Sequence, residues 1–363
     1  MKKIMLSAFV LADAQNLTGI QRVCREVILR LDKMIEKTDI QVEYLFFEDA
    51  SHKIIKLEEL KNIKPVAFKR RKKNILTKIF DLPKYVKKEN GLLVCIDLDY
   101  AACKGYIPCI PDMRPVLKDS LDNKRFKFFF KHNILRCAKR YASYIVTHSE
   151  FQKQIIVDFL KIKSERVKII QHGCDHMNYF AEDDSIFEKF RELGKKGEKK
   201  YFYTLANIAP NKNFKWIYEM AQRNPEKIFA VAGAMNQFGS AHEYLNLKNI
   251  IYLGRVSDEE NKALMKNCKA FLFPSKYEGF GLPPLEALYC GAPICVSNAT
   301  CLPEIYGDCA HYFDPDDYEV DLDKLLKEKV ANPKKLLEKF TWDNSTKEWL
   351  ELMIEEAKKD GKN

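Results

Sequence analysis

The sequence predicts an α/β protein with two doubly wound parallel sheets, one in each half of the chain. Apolar runs of strand length alternate with helical periodicities along nearly all of the 363 residues, and this alternation is typical of parallel strands connected by helices. A polar stretch at residues 194–200 interrupts the alternation, which then begins again. The length also fits two domains better than one or three.

The first element is expected to be a buried strand at residues 4–11. Preceded by Lys2 and Lys3, these residues also imitate a short signal peptide. However, the chain has 11 cysteines, an odd number, which disfavours an exported disulfide framework and favours a reducing cytoplasm. A turn at residues 16–19 then leads into a helix. The apolar face of that helix carries Val23, Val27, Leu31 and Met34.

The remaining elements follow from the same alternation. Further strands in the first half are predicted at residues 42–47, 92–96, 144–147 and 167–170, with a helix at residues 151–160. In the second half, strands are predicted at residues 201–205, 228–232, 250–253, 270–273 and 293–296, with helices that begin at Asn213, Ser257 and Pro283. Ligands of such sheets bind at the carboxyl ends of the strands, so a cleft between the two domains is the expected binding site.

The polar stretch divides the chain into domains. We predict a first domain over residues 1–183, a linker over 184–200 and a second domain over 201–342. Residues 343–363 are expected to form a C-terminal helix that packs back on the first domain.

The charge is unevenly distributed between the halves. Residues 1–180 contain 35 Lys and Arg against 21 Asp and Glu, whereas the remaining residues contain 26 against 30. A basic half of this kind meets phosphates, a membrane surface or nucleic acid. No run of eighteen apolar residues is present in the sequence, so no membrane-spanning helix is expected.

The strand-loop-helix corner at residues 273–286 is the most informative segment. Pro283 suits the first turn of the helix, and glycines precede it in the loop. The backbone N–H groups of Phe280, Gly281 and Leu282 are therefore expected to face an anion at the helix N-terminus. An isolated loop of this composition could also be a simple turn between strand and helix.

Two carboxylates, Glu278 and Glu286, stand on either side of this loop. Carboxylates beside a phosphate are useful when they accept hydrogen bonds from hydroxyls, and a ligand with hydroxyls at both ends of a diphosphate is a sugar nucleotide. A second strand-loop-helix corner at residues 203–213 supplies Lys212 as a point charge for phosphate. Asn211 or Asn213 is a candidate cap for the helix that follows.

These segments resemble the family 4 retaining glycosyltransferases, also called glycosyl transferases group 1. The similarity is dense from about residue 201 to residue 342 and thinner in the first half. In the second half the matching segments are IAPNKN (208–213), LGRVSDEE (253–260), YEGFGLP (277–283) with Glu286, CGAP (290–293), LPEI (302–305) and FTW (340–342). In the first half they are TGI (18–20), PDM (111–113), THSE (147–150) and HGCD (172–175).

The resemblance implies a GT-B fold, with two facing Rossmann-like domains and an interdomain cleft. The second domain would hold the nucleotide donor and the first the acceptor. Among the residues placed closest to the chemistry, Glu278 would orient the donor sugar, Lys212 would neutralise the diphosphate, and Asp112 would contact the acceptor.

The resemblance also implies a set of donor-binding residues. Glu286 would accept from the ribose hydroxyls, and the backbone near Val256 would meet the base. In the first domain, Gly19 would let its loop approach the diphosphate closely. The phosphate and sugar would be held by the loop residues Gly279, Phe280, Gly281 and Leu282.

This chain departs from the family pattern at two places. Ala206 and Asn211 stand where many relatives have arginine, so charge compensation of the diphosphate must come from elsewhere. Pro111 precedes Asp112 where the family has histidine, so a catalytic histidine is absent there.

No cofactor and no metal are expected. His172 and His176 have metal-like spacing, but a zinc site needs three or four converging ligands, and the sequence shows no second cluster. Enzymes of this family are commonly metal-independent. The triplet at residues 97–99 matches an Asp-x-Asp metal motif, but it follows a strand of the opposite domain.

The predicted function is retaining transfer of a sugar from a nucleoside-diphosphate sugar to a hydroxyl of a glycan or lipid-linked acceptor, in surface polysaccharide or glycolipid biosynthesis. The alternatives are a GT-B epimerase or phosphorylase and, in a different class, a protein that binds nucleic acid through the basic half. That half lacks the aromatic-basic interleaving of nucleic-acid-binding proteins, so no nucleic acid is expected as a partner.

A cytoplasmic protein at the inner face of the membrane is expected, because the segment from residue 68 to residue 80 combines cations with large apolar residues. If residues 75–80 form a helix, its apolar residues share a face, which is typical of an interfacial helix. The alternative is a loop whose lysines stay in water. The cations expected to meet an anionic surface are Lys69, Arg70, Arg71, Lys72 and Lys73.

Overall fold

The computed structural model describes most of the chain and divides it into two compact units. The residues described are 1–11, 17–50, 53–70, 76–97, 103–114, 125–205, 209–233 and 246–359. The first unit consists of Met1–Gly173 and Trp342–Asn363, and the second of Cys174–Thr341.

The first unit is a parallel α/β sheet. Its strands, among the described residues, are β1 (Lys3–Ser7), β2 (Val42–Phe47), β3 (Lys64–Phe68), β4 (Gly91–Cys95), β5 (Ile107–Pro108), β6 (Ile145–Thr147) and β7 (Val167–Ile169). The first five form one sheet in the order β3-β2-β1-β4-β5, and β6 pairs with β7. Single parallel bridges join Tyr106 to Ala142 and Cys109 to Val146, which continue the sheet toward β6. The order reverses direction beside β1, as in a Rossmann fold.

The helices of the first unit cover this sheet. The helices described are α1 (Gly19–Met34), α2 (Leu82–Lys88, preceded by a π-helical turn at Thr77–Asp81), α3 (Arg125–Tyr141), α4 (Glu150–Leu160) and the C-terminal helix, α12 (Trp342–Lys358). Helix α1 begins with a capping box between Thr18 and Gln21. Arg30 of α1 donates from Nε to Asp343 at the start of α12, 2.8 Å away, so α12 is tied to α1 within this unit.

The second unit repeats the Rossmann order. Its strands, in the described part, are β8 (Tyr201–Leu205), β9 (Ile228–Ala232), β10 (Ile250–Gly254), β11 (Ala270–Phe273), β12 (Ile294–Ser297) and β13 (His311–Phe313). They pair in parallel in the order β10-β9-β8-β11-β12-β13. The direction of the order therefore changes between β8 and β11. This topological switch point is where open α/β sheets bind their ligands.

Short and medium helices connect these strands. They are α5 (Ser185–Lys189), α6 (Phe214–Arg223), α7 (Asp258–Asn267), α8 (Leu282–Tyr289), α9 (Leu302–Tyr306), α10 (Leu322–Leu325) and α11 (Lys334–Lys339). Ser257 caps α7 by accepting a hydrogen bond from the Glu260 amide at 3.0 Å. The core beneath the helices is rich in aromatic residues, with Trp216 stacked on Phe313 at 4.2 Å between ring centroids.

The predicted linker at residues 184–200 is wrong. Ile186, Phe187 and Leu193 of this segment are buried, and the contacts of the chain place everything from Cys174 in the second unit. The segment forms α5 and a 3₁₀ turn because these three apolar side chains pack into the core. The predicted first boundary at residue 183 therefore lies ten residues too late.

Two further predictions need correction. The strand expected at residues 4–11 ends at Ser7, and a 3₁₀ turn at Phe9–Leu11 follows it. Neither Asn211 nor Asn213 caps α6 with its side chain. Asn213 occupies the cap position with a positive φ of 54° and no side-chain cap bond. Its amide instead donates to the Pro315 carbonyl at 2.7 Å.

Within the described residues, no helix is both long enough and apolar enough to span a membrane.

Candidate functional site

Two predicted site residues of the second unit, Lys212 and Glu278, follow strands β8 and β11, the two strands at the switch point. Lys212 lies in a 3₁₀ turn at Pro210–Lys212, after β8. Glu278 lies in the loop between β11 and α8. Because parallel strands end at the same edge of the sheet, the two loops meet.

Lys212 and Glu278 form an ion pair. The Lys212 Nζ lies 2.6 Å from the Glu278 Oε1, and the two side chains are 24% and 13% exposed. The Lys212 Nζ also lies over the Phe273 ring, 5.2 Å from its centroid. A cation with one carboxylate and one aromatic neighbour keeps hydrogen-bonding capacity for a further anion, because an ammonium group has three donors.

Ser275 holds the two loops together beneath this pair. Its Oγ lies within hydrogen-bonding distance of both the Glu278 Oε1 and the Asn211 carbonyl, the latter at 2.9 Å. The backbone N–H of Lys276 donates to the same Asn211 carbonyl at 2.8 Å. The side-chain amide of Asn211 donates from Nδ2 to the Tyr277 carbonyl at 3.2 Å. Asn211, where the resemblance implies an arginine, therefore serves as a link between the loops.

A third strand end contributes to the site. Thr300, in the turn after β12, has a φ of +53° and accepts a hydrogen bond from the Glu278 amide at 3.2 Å. The Ser297 hydroxyl, at the end of β12, donates to the Ser275 carbonyl. The backbone from Ser275 to Glu278 is therefore fixed by residues at the end of β12 and in the turn that follows it.

Gly281 shapes the loop that enters α8. Its φ is +88°, and a Cβ at this position would lie 2.7 Å from Cδ2 of Leu302, so both the backbone and the packing require glycine. Leu282 begins the helix, with Pro283 in its first turn. The positive end of the helix dipole therefore points out of the sheet beside the ion pair, where it favours an anion.

Gly279, Phe280 and Leu282 complete this loop. The Phe280 ring is buried and meets Phe340 edge to face at 5.6 Å between centroids, and the Leu282 side chain is buried as well. These side chains anchor the loop, so its contribution to a ligand would come from the backbone.

Glu286 lies on α8, one and a half turns from the loop. The carboxylate is nearly buried, and its Oε1 lies 3.0 Å from the Nε2 of His176, which is fully buried. The sequence singled out His176 for metal-like spacing with His172, but its contact is to Glu286. Burial, with the Asp175 and Glu286 charges nearby, raises the pKa of the neighbouring Cys174 thiol, so this cysteine is a poor nucleophile.

Val256 lies between β10 and α7, at the same edge of the sheet. Gly254 ends β10 with a φ of +69°, and its carbonyl accepts a hydrogen bond from the Gly233 amide at 2.8 Å. Val256 is half-buried. This turn stands at the edge where the resemblance places the base.

In the first unit, Gly19 and Asp112 occupy different strand ends. Gly19 is the first residue of α1, and a Cβ there would meet no atom within 4 Å. The described fold of the chain therefore does not itself require glycine at this position. Asp112 follows β5 and accepts a hydrogen bond from the Arg114 amide at 2.7 Å. Its side chain is 30% exposed.

The histidines of the first unit near these strand ends are buried. The His148 Nδ1 lies 2.8 Å from the Ile170 carbonyl, and its Nε2 lies 3.3 Å from the Cys109 thiol. Burial lowers the pKa of His148 to about 4, and burial together with His148 lowers the pKa of His172 well below its usual value. Both imidazoles are therefore neutral at physiological pH.

The basic segment of the first unit is described only in part. Lys69 is exposed, whereas Arg70 pairs with Asp49 at 2.8 Å and stacks over the Phe47 ring at 4.5 Å. Phe80, in the π-helical turn, is 58% exposed. Three of the predicted membrane contacts lie outside the described residues: Arg71, Lys72 and Lys73.

No cluster of three or more His, Cys, Asp or Glu side chains able to hold a metal occurs among the described residues. Of the predicted triplet at residues 97–99, Asp97 is buried and accepts a hydrogen bond from the Val10 amide at 3.1 Å. The other two positions, and the predicted departure at Ala206, lie outside the described residues.

Comparison with known proteins identifies the class. Residues 185–341 match the family model for glycosyl transferases group 1. The serotype-specific mannosyltransferase WbdA of Escherichia coli is 28% identical over 283 residues, which covers 69% of this chain and 33% of that protein. The O-antigen chain mannosyltransferase B of the same species is 28% identical over 233 residues, covering 56% of this chain and 58% of that protein.

Solved structures show the same fold across the chain. HepE of Anabaena, in complex with UDP and glucose, superposes with a TM-score of 0.71 at 14% identity, covering 98% of this chain and all of that one. Sucrose-phosphate synthase from Thermosynechococcus elongatus gives a TM-score of 0.74 at 13% identity, covering 98% and 99%. The fold is GT-B, with two Rossmann-like units.

Residues 185–341 therefore match the glycosyl transferases group 1 family, as the motifs of this region predicted. It spans about one third of the length of the WbdA proteins that it matches.

Proposed function

We propose that this protein transfers a sugar from a nucleoside-diphosphate sugar to an acceptor hydroxyl during surface polysaccharide or glycolipid synthesis. The observation that carries the proposal is the Lys212–Glu278 ion pair at the switch point of the second sheet, beside the N-terminus of α8. The match of residues 185–341 to the family model and the names of the mannosyltransferase relatives support the same activity.

The site supplies the electrostatics that such a transfer needs. A diphosphate bound at the α8 N-terminus would receive hydrogen bonds from the backbone near Gly281 and the positive charge of Lys212. As the bond to the sugar breaks, negative charge grows on the diphosphate, and preorganised donors stabilise it. Lys212 is preorganised because Glu278 and the ring of Phe273 hold its amine in place.

The carboxylates would bind the two ends of the donor. Glu278 would accept from sugar hydroxyls while Ser275 and Thr300 fix its position. Glu286 would accept from the ribose. A carboxylate has about four acceptor sites, so each can keep its protein partner and still bind a hydroxyl. Asp112, in the first unit, would contact the acceptor, and Gly19 would allow close approach of its loop to the diphosphate.

The proposed transfer retains the anomeric configuration and needs no metal. In a front-face reaction, the departing phosphate oxygen takes the acceptor proton, so no protein base is required. Lys212 and the helix dipole would stabilise the negative charge of the leaving diphosphate, as a metal cation does in metal-dependent enzymes. The names of the relatives make a nucleoside-diphosphate mannose the first donor to test, and the UDP complex of HepE makes UDP-glucose the second.

We expect NMR of the reaction with a lipid-linked or free glycan acceptor to show an α-linked product from an α-linked donor. The rate should be unchanged by EDTA, because the phosphate partners named above are protein groups. An inverted product would exclude the retaining mechanism. Complete loss of activity in EDTA, restored by a divalent cation, would contradict the metal-independent mechanism and redirect attention to Asp97.

We further propose that the first unit meets an anionic membrane surface through Lys69 and its basic neighbours. The Phe80 ring and the side chains of Lys84, Lys87 and Lys88, which follow Lys69 in the sequence, are exposed as well. Each cation near such a surface contributes about 1 kcal/mol, so several can hold the protein reversibly. A lipid-linked acceptor would bring the enzyme to this surface, at the cytoplasmic face of the membrane.

Cosedimentation with anionic but not neutral vesicles is expected at low salt. The double variant Lys84→Glu/Lys87→Glu should weaken binding by more than about tenfold, because each reversal removes an attraction of about 1 kcal/mol and adds a repulsion. The matched control, Lys334→Glu/Lys335→Glu, reverses two exposed lysines of the second unit and should bind as the wild type does. If the wild type cosedimented with anionic vesicles no better than with neutral vesicles, this surface would be excluded.

A further inference from the structure

His176 is a buried polar residue that the proposed chemistry does not use. It lies in a 3₁₀ turn at Asp175–Tyr179, is 0% exposed, and places its Nε2 3.0 Å from the Glu286 Oε1. The contact spans 110 positions of the sequence. A buried imidazole nitrogen beside a carboxylate donates its proton to it, and hydrogen bonds to charged groups are stronger than neutral ones.

The turn that carries His176 is itself held firmly. The Lys262 Nζ, from α7, donates to the Met177 carbonyl at 2.9 Å and to the Phe180 carbonyl at 2.8 Å. The Cys174 amide donates to the Phe340 carbonyl at 3.1 Å. The Phe180 ring meets the imidazole edge to face, at 6.3 Å between centroids. His176 therefore approaches Glu286 from a fixed direction.

Glu286 is a long side chain on a short helix. With three rotatable bonds it loses rotamer freedom when it binds a ligand. A partner that already restricts the carboxylate lowers this cost and so raises affinity. The bond from His176 engages Oε1, and the carboxylate retains acceptor sites for ligand hydroxyls.

We propose that His176 is a positioning residue for the donor site: it orients the Glu286 carboxylate toward the ribose hydroxyls of a nucleoside diphosphate. This inference rests on the proposed function, in which Glu286 binds the ribose. A purely structural role, in which the pair satisfies only a buried histidine, makes a different prediction for nucleotides that lack a ribose hydroxyl.

The test is calorimetric titration of the full chain with UDP and GDP and with their 2′-deoxy and 3′-deoxy analogues. Of UDP and GDP, the one that the wild type binds should bind His176→Leu about tenfold more weakly. A lost hydrogen bond of about 1.4 kcal/mol corresponds to that factor. For the deoxy analogue that lacks the contacted hydroxyl, the Kd values of the wild type and of His176→Leu should agree to within about threefold. His176→Gln, which places an amide N–H near the Nε2 position, should restore ribonucleotide binding.

The control is His311→Gln. His311 is also buried in the second unit but begins β13, at the amino edge of the sheet, and its variant should bind as the wild type does. If His176→Leu does not fold, the comparison passes to His176→Asn, whose amide is too short to reach Glu286, against His176→Gln. Equal weakening of ribo and both deoxy forms, or no weakening, would overturn the positioning role. A wild type that binds neither UDP nor GDP would instead count against the proposed function.

Discussion

Replacing Lys212 by methionine is expected to slow sugar transfer by about 10²–10³-fold, the usual effect of removing one preorganised donor from a developing negative charge. Methionine keeps much of the length and the apolar stem of lysine but removes the charge. A cation about 4 Å from an anion contributes about 4 kcal/mol at an effective dielectric constant of 20. In the proposed site Lys212 supplies this interaction to the diphosphate, and Asn211, where the resemblance implies an arginine, supplies no charge.

The measurement is steady-state turnover of the identified donor, together with the affinity for its nucleoside diphosphate. Lys276→Met is the matched control, because Lys276 lies in the same loop as Glu278 but is 39% exposed and pairs with Asp316. It should retain wild-type turnover. Thermal unfolding of both variants separates a catalytic loss from misfolding. Turnover of Lys212→Met within about threefold of the wild type would remove Lys212 from the site.

Substitution of the two carboxylates is expected to affect different steps, turnover at Glu278 and nucleotide binding at Glu286. Glu278→Gln should lower turnover by about ten- to a hundredfold with little change in nucleotide affinity. Glu286→Gln should weaken nucleotide binding by a similar factor with little change in turnover. The factors follow from the loss of a charged hydrogen-bond partner, which costs about 1.5–3 kcal/mol. Glutamine is chosen at Glu286 because its side-chain carbonyl can still accept a hydrogen bond from His176, so the buried imidazole keeps a hydrogen-bond partner.

Separate measurements of nucleotide affinity and of turnover at saturating donor distinguish these effects. Glu319→Gln, at an exposed position of the same unit, serves as the control for loss of a carboxylate. If both carboxylate variants lost affinity equally, the division between sugar and ribose would be wrong. If neither lost affinity or turnover, the assignment of the site to this loop would fail.

The strands of both sheets were largely predictable because they are apolar and buried. β2, β8, β9 and β11 begin and end where the hydrophobic runs do. β3 was missed because it is an edge strand with little buried surface and with Pro65 inside it. The packing of residues 184–200 was missed because three buried apolar residues are dispersed among many charges.

The site was predictable in its residues but not in its connections. Glycine, proline and carboxylate spacing indicated the loop before α8, yet the contact of Lys212 with Glu278 depends on strand order, which brings β8 beside β11. The sequence indicated His176 only through its metal-like spacing from His172. Spacing along the chain does not reveal its partner Glu286, which is 110 positions away. Ser275 and Thr300 carried no sequence signal strong enough to find them.

The central claim is that the second unit binds a nucleoside-diphosphate sugar, and thermal unfolding of the full chain with a panel of such sugars tests it most directly. A ligand at 100 times its Kd stabilises the native state by about 2.7 kcal/mol. One nucleoside-diphosphate sugar should therefore raise the Tm of the wild type clearly, raise that of Lys212→Met much less, and act equally with EDTA present. A Tm raised by DNA or RNA oligonucleotides, and by no sugar nucleotide, would contradict the account and favour a nucleic-acid-binding protein.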